Sequence, residues 1–240
     1  MKPILLLISL LLVGFSSIQA QGLNPEAEDL YRQGKFSAAL LSYEKDLEKY
    51  PNDPYVYYNI GNCYFKMGST GLAVANYYRA FLLAPRDADI RRNLTLALES
   101  SGEFFVPAGV PPVLHKMFNS LSNTELKGLC FICLWVLCGA VCVYALTRRG
   151  KKWVLFCLFI TLVCTGWYML RKPNPHEELA VIATPVAEIR SGPGTNFPAS
   201  ANASQGHLVL VTDQKDAWYE IVVRSQGIKG WVEKNSVEKI

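Results

Sequence analysis

Cys130 and Cys133 are separated by two residues, the Cys-x-x-Cys spacing of a zinc half-site or a dithiol redox pair. Their surroundings argue against both chemistries. With Cys138, Cys142, Cys157 and Cys164 they lie in two stretches free of charged side chains, Leu129–Leu146 and Trp153–Leu170. A thiolate is costly in such a medium, whereas a neutral cysteine serves there as a small hydrophobe. The remaining cysteine, Cys63, has no obvious base nearby in the sequence. His115, His176 and His207 each stand alone, outside any H-E-x-x-H pattern, and the chain has no P-loop or G-x-S-x-G motif. These features point to no enzyme, no cofactor and no metal site. The net charge of +4 gathers beside the apolar stretches and leaves no nucleic-acid footprint.

The two uncharged stretches organise the chain. As helices rising about 1.5 Å per residue, each spans roughly 27 Å, close to the ~30 Å hydrocarbon core of a bilayer. Backbone amides in lipid must be satisfied within the segment, so each should be helical. The short connection between them carries Arg148, Arg149, Lys151 and Lys152 and predicts an antiparallel membrane hairpin with a cytoplasmic turn. Lys116, Lys127, Arg171 and Lys172 near the opposite ends weaken that bias. Tyr144 and Trp153 beside the turn, and Trp167 and Tyr168 at the far end, suit the two membrane interfaces. Lys2, the apolar run Ile4–Phe15 and the small residue Ala20 read as an export signal. Cleaved or retained, it places the regions on either side of the hairpin outside the cytoplasm.

Residues 24–100 carry a helical pattern that repeats. Gly34 and Gly68, Ala39 and Ala73, Tyr43 and Tyr77, and Pro51 and Pro85 are each 34 residues apart. The second copy places Tyr57, Ile60, Gly61, Tyr64, Ala73, Tyr77, Ala80 and Pro85 at the large, small and turn positions of the tetratricopeptide repeat, which it resembles. The first copy matches less completely, with Ala27 at the small position. A further helix, 87–100, would cap the stack. Such arrays form a concave groove for extended or helical peptides. The resemblance puts Tyr55, Tyr58, Asn59, Asn62 and Phe65 in that groove, with Asn59 where some relatives hold a peptide backbone. The competing role for the asparagines is polar packing, and for the tyrosines repeat core. Asn24, Glu28, Asp89 and Asn93 replace the basic residues of the carboxylate-clamp subclass, so no terminal-carboxylate specificity is implied.

Prolines at 107, 111 and 112 make an extended spacer. Leu114, Met117, Phe118 and Leu121 then mark a short amphipathic helix suited to the membrane surface, or to packing on the array. Ser122 and Glu125 have capping-box spacing at the start of the first spanning helix.

Beyond residue 177 short β-type runs alternate with Gly-rich turns and predict a small all-β barrel. Ile189–Gly194 with Asn196-Phe197-Pro198, then Ala217–Ile221 and Gly227–Val232, resemble the bacterial SH3-like (SH3b) family. Trp218 and Trp231 are expected to fill the barrel, and Gly230 to permit a tight turn. The resemblance implies a ligand surface at Arg190 and Phe197, used by relatives to hold peptidoglycan peptide; a structural role competes at both.

The predicted organisation is a signal peptide at 1–20, a repeat domain at 21–100, a linker with an interfacial helix at 101–125, spanning helices at 126–146 and 153–170 around a basic turn at 147–152, a linker at 171–177 and an SH3b domain at 178–240. This order looks like the BatE-type proteins of bacterial aerotolerance operons. The resemblance implies a two-pass inner-membrane protein with periplasmic ends, partnered by von Willebrand A-domain membrane proteins and an associated ATPase, and linked to oxidative stress tolerance. The expected role is a non-enzymatic scaffold in contact with membrane lipid; the alternative is an envelope sensor or wall-binding module acting through the SH3b domain.

Overall fold

The computed structural model describes residues 24–106, 109–171 and 177–240. The expected signal peptide, His176 and most of the second linker lie outside them. Five helices form the amino-terminal array: α1 Pro25–Arg32, α2 Phe36–Lys49, α3 Pro54–Lys66, α4 Thr70–Leu83 and α5 Ala88–Ser100. The repeat is visible in the turns. Gly34 and Gly68 both sit at φ +77°, a left-handed conformation that glycine adopts without the Cβ clash. Asp53 and Asp87 cap α3 and α5 through backbone N–H groups two residues on, at 2.8 and 2.9 Å. Gly61 makes room for Tyr77: a Cβ there would lie 2.7 Å from the ring.

Helices α2 and α4 occupy the same repeat position but differ in surface. Helix α2 is amphipathic, with Leu41 exposed and only Ala39 and Tyr43 buried. Helix α4 buries residues around its whole circumference, including Ala73, Val74, Ala75, Tyr77 and Phe81. An all-round apolar helix must be covered on both sides. The second cover is the carboxy-terminal sheet.

That sheet has seven strands: β1 Glu178–Ile182, β2 Val186–Arg190, β3 Ala199–Ser204, β4 Leu208–Lys215, β5 Trp218–Val223, β6 Ile228–Glu233 and β7 Val237–Lys239. All pairings are antiparallel, in the order β3-β2-β6-β5-β4-β1-β7. The expected barrel is not closed, because β3 and β7 end the ladder on opposite sides. A bulge between Val211 and Asp213 bends β4. The inner core is aliphatic, built from Ala180, Ile182, Ile189, Val209, Val211, Ile221, Val223 and Val232. Trp218 is buried outside this cluster. Trp231 is half-exposed, since strand alternation in β6 turns Gly230 and Val232 inward and Trp231 outward. Gly230 sits within the strand, where a Cβ would lie 2.5 Å from Ile189 Cγ2 and 2.7 Å from the Arg190 carbonyl oxygen; it serves close strand approach rather than a turn.

Strands β1 and β4 are apolar on both faces. Val181 and Leu208 point away from the inner core and join the cluster formed by α4 and α5. Burying each such side chain contributes about 1.5–3 kcal/mol. Around this shared core Arg79 bonds the Glu238 carboxylate at 2.6 Å and also the Lys239 carbonyl oxygen. Ser225 donates to buried Glu103 at 2.6 Å. Array and sheet thus pack together across the helices that separate them in sequence.

Those helices are α6 Pro112–Phe118, α7 Asn123–Thr147 and α8 Lys151–Arg171. Ser122 and Glu125 form the expected capping box, at 3.2 and 2.8 Å. Helices α7 and α8 are long and apolar enough to cross a membrane, with mean hydropathies of 2.6 and 2.0. They pack on each other, bringing Cys133 Sγ within 3.9 Å of Cys164 Sγ. Their outer surfaces, including Phe131, Trp135, Phe159 and Leu170, are bare. The basic turn is tighter than expected: Arg148 adopts φ +54° and α8 already begins at Lys151. At the open end of the pair, Trp167 donates to the Phe118 carbonyl oxygen at 3.2 Å and Arg171 bonds the Leu121 carbonyl oxygen, fixing α6 there.

Candidate functional site

The concave side of the array is formed by α1, α3 and α5. Two adjoining clefts of about 300 and 200 Å³ run along it and share Tyr31 and Asn62. Asn59 and Asn62 line the first, Asn62 and Phe65 the second. The sheet covers α4 on the other side of the array and leaves this face open.

The two asparagines differ. Asn62 Oδ1 accepts from Tyr77 Oη at 2.7 Å and from Asn93 Nδ2 at 3.0 Å. Its amide is committed to holding α3, α4 and α5 together. Asn59 faces the cleft with no side-chain hydrogen bond among the described residues. It keeps a free donor and acceptor, the complement of a peptide backbone. Tyr58 accepts from Asn93 Nδ2 at 3.1 Å and packs 5.9 Å from the Tyr77 ring, so it belongs partly to the repeat core. Tyr55 reaches across to Asp87 at 3.3 Å and stands at the rim. Phe65 is 41% exposed, and Leu96, which lines the same cleft, is 51% exposed.

The groove therefore offers a central amide flanked by bare apolar side chains and little net charge. Glu28 at one wall is paired with Arg32. Burial raises the hydroxyl pKa of Tyr31 and of Tyr77, and carries that of Tyr43 up to about 12, so these groups stay protonated hydrogen-bonding phenols. Burial also pushes the Cys63 thiol beneath the groove up to about 11, which leaves no thiolate for chemistry at neutral pH. Among the described residues no group of three or more His, Cys, Asp or Glu is placed to hold a metal ion.

Tyr55 and Tyr58 line neither cleft, whereas Tyr31 and Leu96 line the clefts beyond the five residues expected, with Asn93 at its clamp position. Their signal was the repeat itself: Tyr31 is the 34-residue equivalent of Phe65, Asn93 of Asn59 and Leu96 of Asn62.

The second candidate surface lies on the sheet. Arg190 Nη1 donates to the carbonyl oxygens of Phe197 at 2.8 Å and Thr195 at 3.2 Å, and Nη2 pairs with Glu188. The guanidinium thus ties down the loop between β2 and β3. Phe197 packs over Gly192, where a Cβ would lie 2.6 Å from its ring, yet remains 37% exposed. Trp231 stands opposite Arg190 and Glu220 on the same outer face.

Residues 27–68 match the family described as TPR repeat. A stretch of 79 residues is 32% identical to tetratricopeptide repeat protein 16 of Macaca fascicularis and, equally, of Homo sapiens, covering 33% of this chain and 9% of each relative. The chain thus spans less than a tenth of the length of these curated relatives, and the likeness is one of repeats. This chain carries tetratricopeptide repeats, a protein-interaction module, joined to two apolar helices and an antiparallel sheet.

Proposed function

We propose that this chain is a non-enzymatic membrane scaffold whose repeat groove holds a protein partner while α7 and α8 anchor it in a bilayer. The observation that carries the reading is the shared core of Val181 and Leu208 with α4 and α5. A chain that leaves the array, crosses a membrane and returns to pack on the same array must cross twice. The sheet then braces the array from behind and leaves the groove free. The bare apolar surfaces of α7 and α8 support immersion in lipid. The four basic residues at the turn favour a cytoplasmic bend, with array and sheet on the outer side of a bacterial inner membrane. Within that reading the chain is a BatE-type protein and the sheet an SH3b-type unit. Its partners are then von Willebrand A-domain proteins and an associated ATPase, in a complex supporting aerotolerance.

The test is site-specific photocrosslinking of the full chain in intact membranes, with a photoreactive phenylalanine analogue at Phe65 or at Phe197. Protein adducts from position 65, reduced by Asn59→Ala, are expected. No adduct from position 65 ends the scaffold reading. Phe197, exposed in the loop between β2 and β3, and Trp231, half-exposed on β6, favour a second reading, an envelope sensor or peptidoglycan-binding module acting through the sheet. Muropeptide adducts at position 197 without protein adducts at 65 select it.

A further inference from the structure

We propose that the junction between the array and the open end of the hairpin binds an anionic phospholipid. The proposal rests on the membrane-spanning reading of α7 and α8. Two cavities meet there. The first is a cleft of about 430 Å³ between α5 and α6, with Arg91, Arg92 and Lys116 on its walls and Phe81 and Phe105 among its apolar residues. No acidic side chain lines it among the described residues. The second is a groove of about 930 Å³ between α6 and the end of α8, lined by Leu114, Phe118, Leu162, Val163, Trp167 and Leu170. His115 and Asn119 line both, so a cationic compartment passes directly into an apolar one.

The cations are incompletely satisfied. Arg91 Nε is buried with no hydrogen-bond partner among the described residues. Nε itself is closed to solvent, so an anionic oxygen in the cleft would meet the Nη groups of this cleft-lining guanidinium, which make no hydrogen bond or ion pair among the described residues. Arg92 shares its charge with Asp89 at 3.0 Å. Burial lowers the His115 pKa, so its ring enters as a neutral hydrogen-bonding group, held edge-on to Phe105 with centroids 4.9 Å apart.

The order of the compartments matches the bilayer. Bonds from Trp167 and Arg171 hold α6 at the end of the hairpin nearest the array, and Arg86 pairs with Glu125 beside it. The cationic cleft therefore lies on the aqueous side, and the groove follows α8 into the apolar zone. A phosphate-bearing head in the cleft with an acyl chain along Leu170, Val163 and Leu162 satisfies both. A soluble anion would fill only the cleft, and an acidic peptide would leave the groove bare. An anionic lipid fills both.

The test uses the full chain in zwitterionic nanodiscs, titrated with phosphatidylglycerol or phosphatidylcholine of identical chains and read by native mass spectrometry. Retention of phosphatidylglycerol is expected to exceed that of phosphatidylcholine about tenfold, the scale of one charge-assisted hydrogen bond. Arg91→Gln with Lys116→Gln should bring the two lipids to parity. Equal retention by the unmodified chain, which needs no variant, overturns the site, as does a preference that survives R91Q/K116Q. Displacement of phosphatidylglycerol by an equal concentration of glycerol phosphate also overturns it, in favour of a soluble anion. Alkaline carbonate extraction of the same preparation separates the two readings. A chain that resists extraction yet shows no lipid preference loses only this site, whereas a chain that extracts loses the membrane anchor and the site together.

Discussion

Gly71 on α4 lies against the carbonyl of Ile182 on β1: a Cβ at Gly71 would overlap that oxygen and stand 3.0 Å from Ala183 Cα. The contact joins two backbones that are far apart in sequence. Neither can yield as a flexible side chain would. Gly71→Ala should therefore part the sheet from α4 and destabilise the protein by about 1–3 kcal/mol, the range for overpacking. Thermal melting of the full chain in detergent measures this. Leu41→Ala, at an exposed position of the equivalent helix, should change stability by less than about 0.5 kcal/mol.

The asparagines of the groove should separate binding from stability. Asn62→Ala removes the acceptor of both Tyr77 Oη and Asn93 Nδ2 and should cost about 1–3 kcal/mol of array stability. Asn59→Ala touches no internal hydrogen bond and should leave the melting temperature unchanged while lowering partner capture. Equal losses of stability in the two variants would contradict this division of roles.

The array should weaken in alkali. Cys63 is held at about 11 against an ordinary 9.0, and Tyr43 at about 12 against 10.0, chiefly through burial. On unfolding both groups lose protons at the lower values, so between pH 9 and 12 the unfolded chain binds fewer protons than the native one. Stability then falls with rising pH in that window. Circular dichroism melts from pH 7 upward should show a decline that begins near 9, and Cys63→Ala with Tyr43→Phe should make it shallower, leaving the share of the other buried tyrosines such as Tyr31 and Tyr77.

The hairpin makes a covalent prediction. With Cys133 Sγ and Cys164 Sγ at 3.9 Å, copper phenanthroline should oxidise the two thiols to a disulfide linking α7 to α8. Trypsin then cuts the turn at Arg148, Arg149, Lys151 or Lys152. The two halves should migrate together without reductant and separate with it. Cys133→Ala should abolish the linkage; linkage that persists in that variant would show that the helices face each other differently.

Much of this architecture could be read from residue order. The 34-residue spacing located the repeats, and the charge-free runs located α7 and α8. Asn59 and Asn62 stand out together in the sequence, but their different surroundings depend on Tyr77 and Asn93, which only folding brings alongside. Strand β3, Ala-Ser-Ala-Asn-Ala-Ser, is the least legible, because alanine, serine and asparagine have little strand preference; its place is fixed by pairing with β2. Trp231 is expected inside the barrel, and strand alternation turns it outward. The docking of sheet on array has its own mark in the sequence. Helix α4 is apolar all round, and Leu179–Ile182 and Leu208–Val211 are unbroken apolar runs, the mark of strands covered on both faces.

That docking sets a schedule for synthesis. Helix α4 leaves the ribosome roughly a hundred residues before the strands that cover it, a delay on the order of five to twenty seconds at about 5–20 residues per second. Through that interval Val74, Ala75 and Phe81 have no cover from Val181 or Leu208. A premature stop after α8 would leave the same flank permanently uncovered, a ready mark for proteolytic disposal.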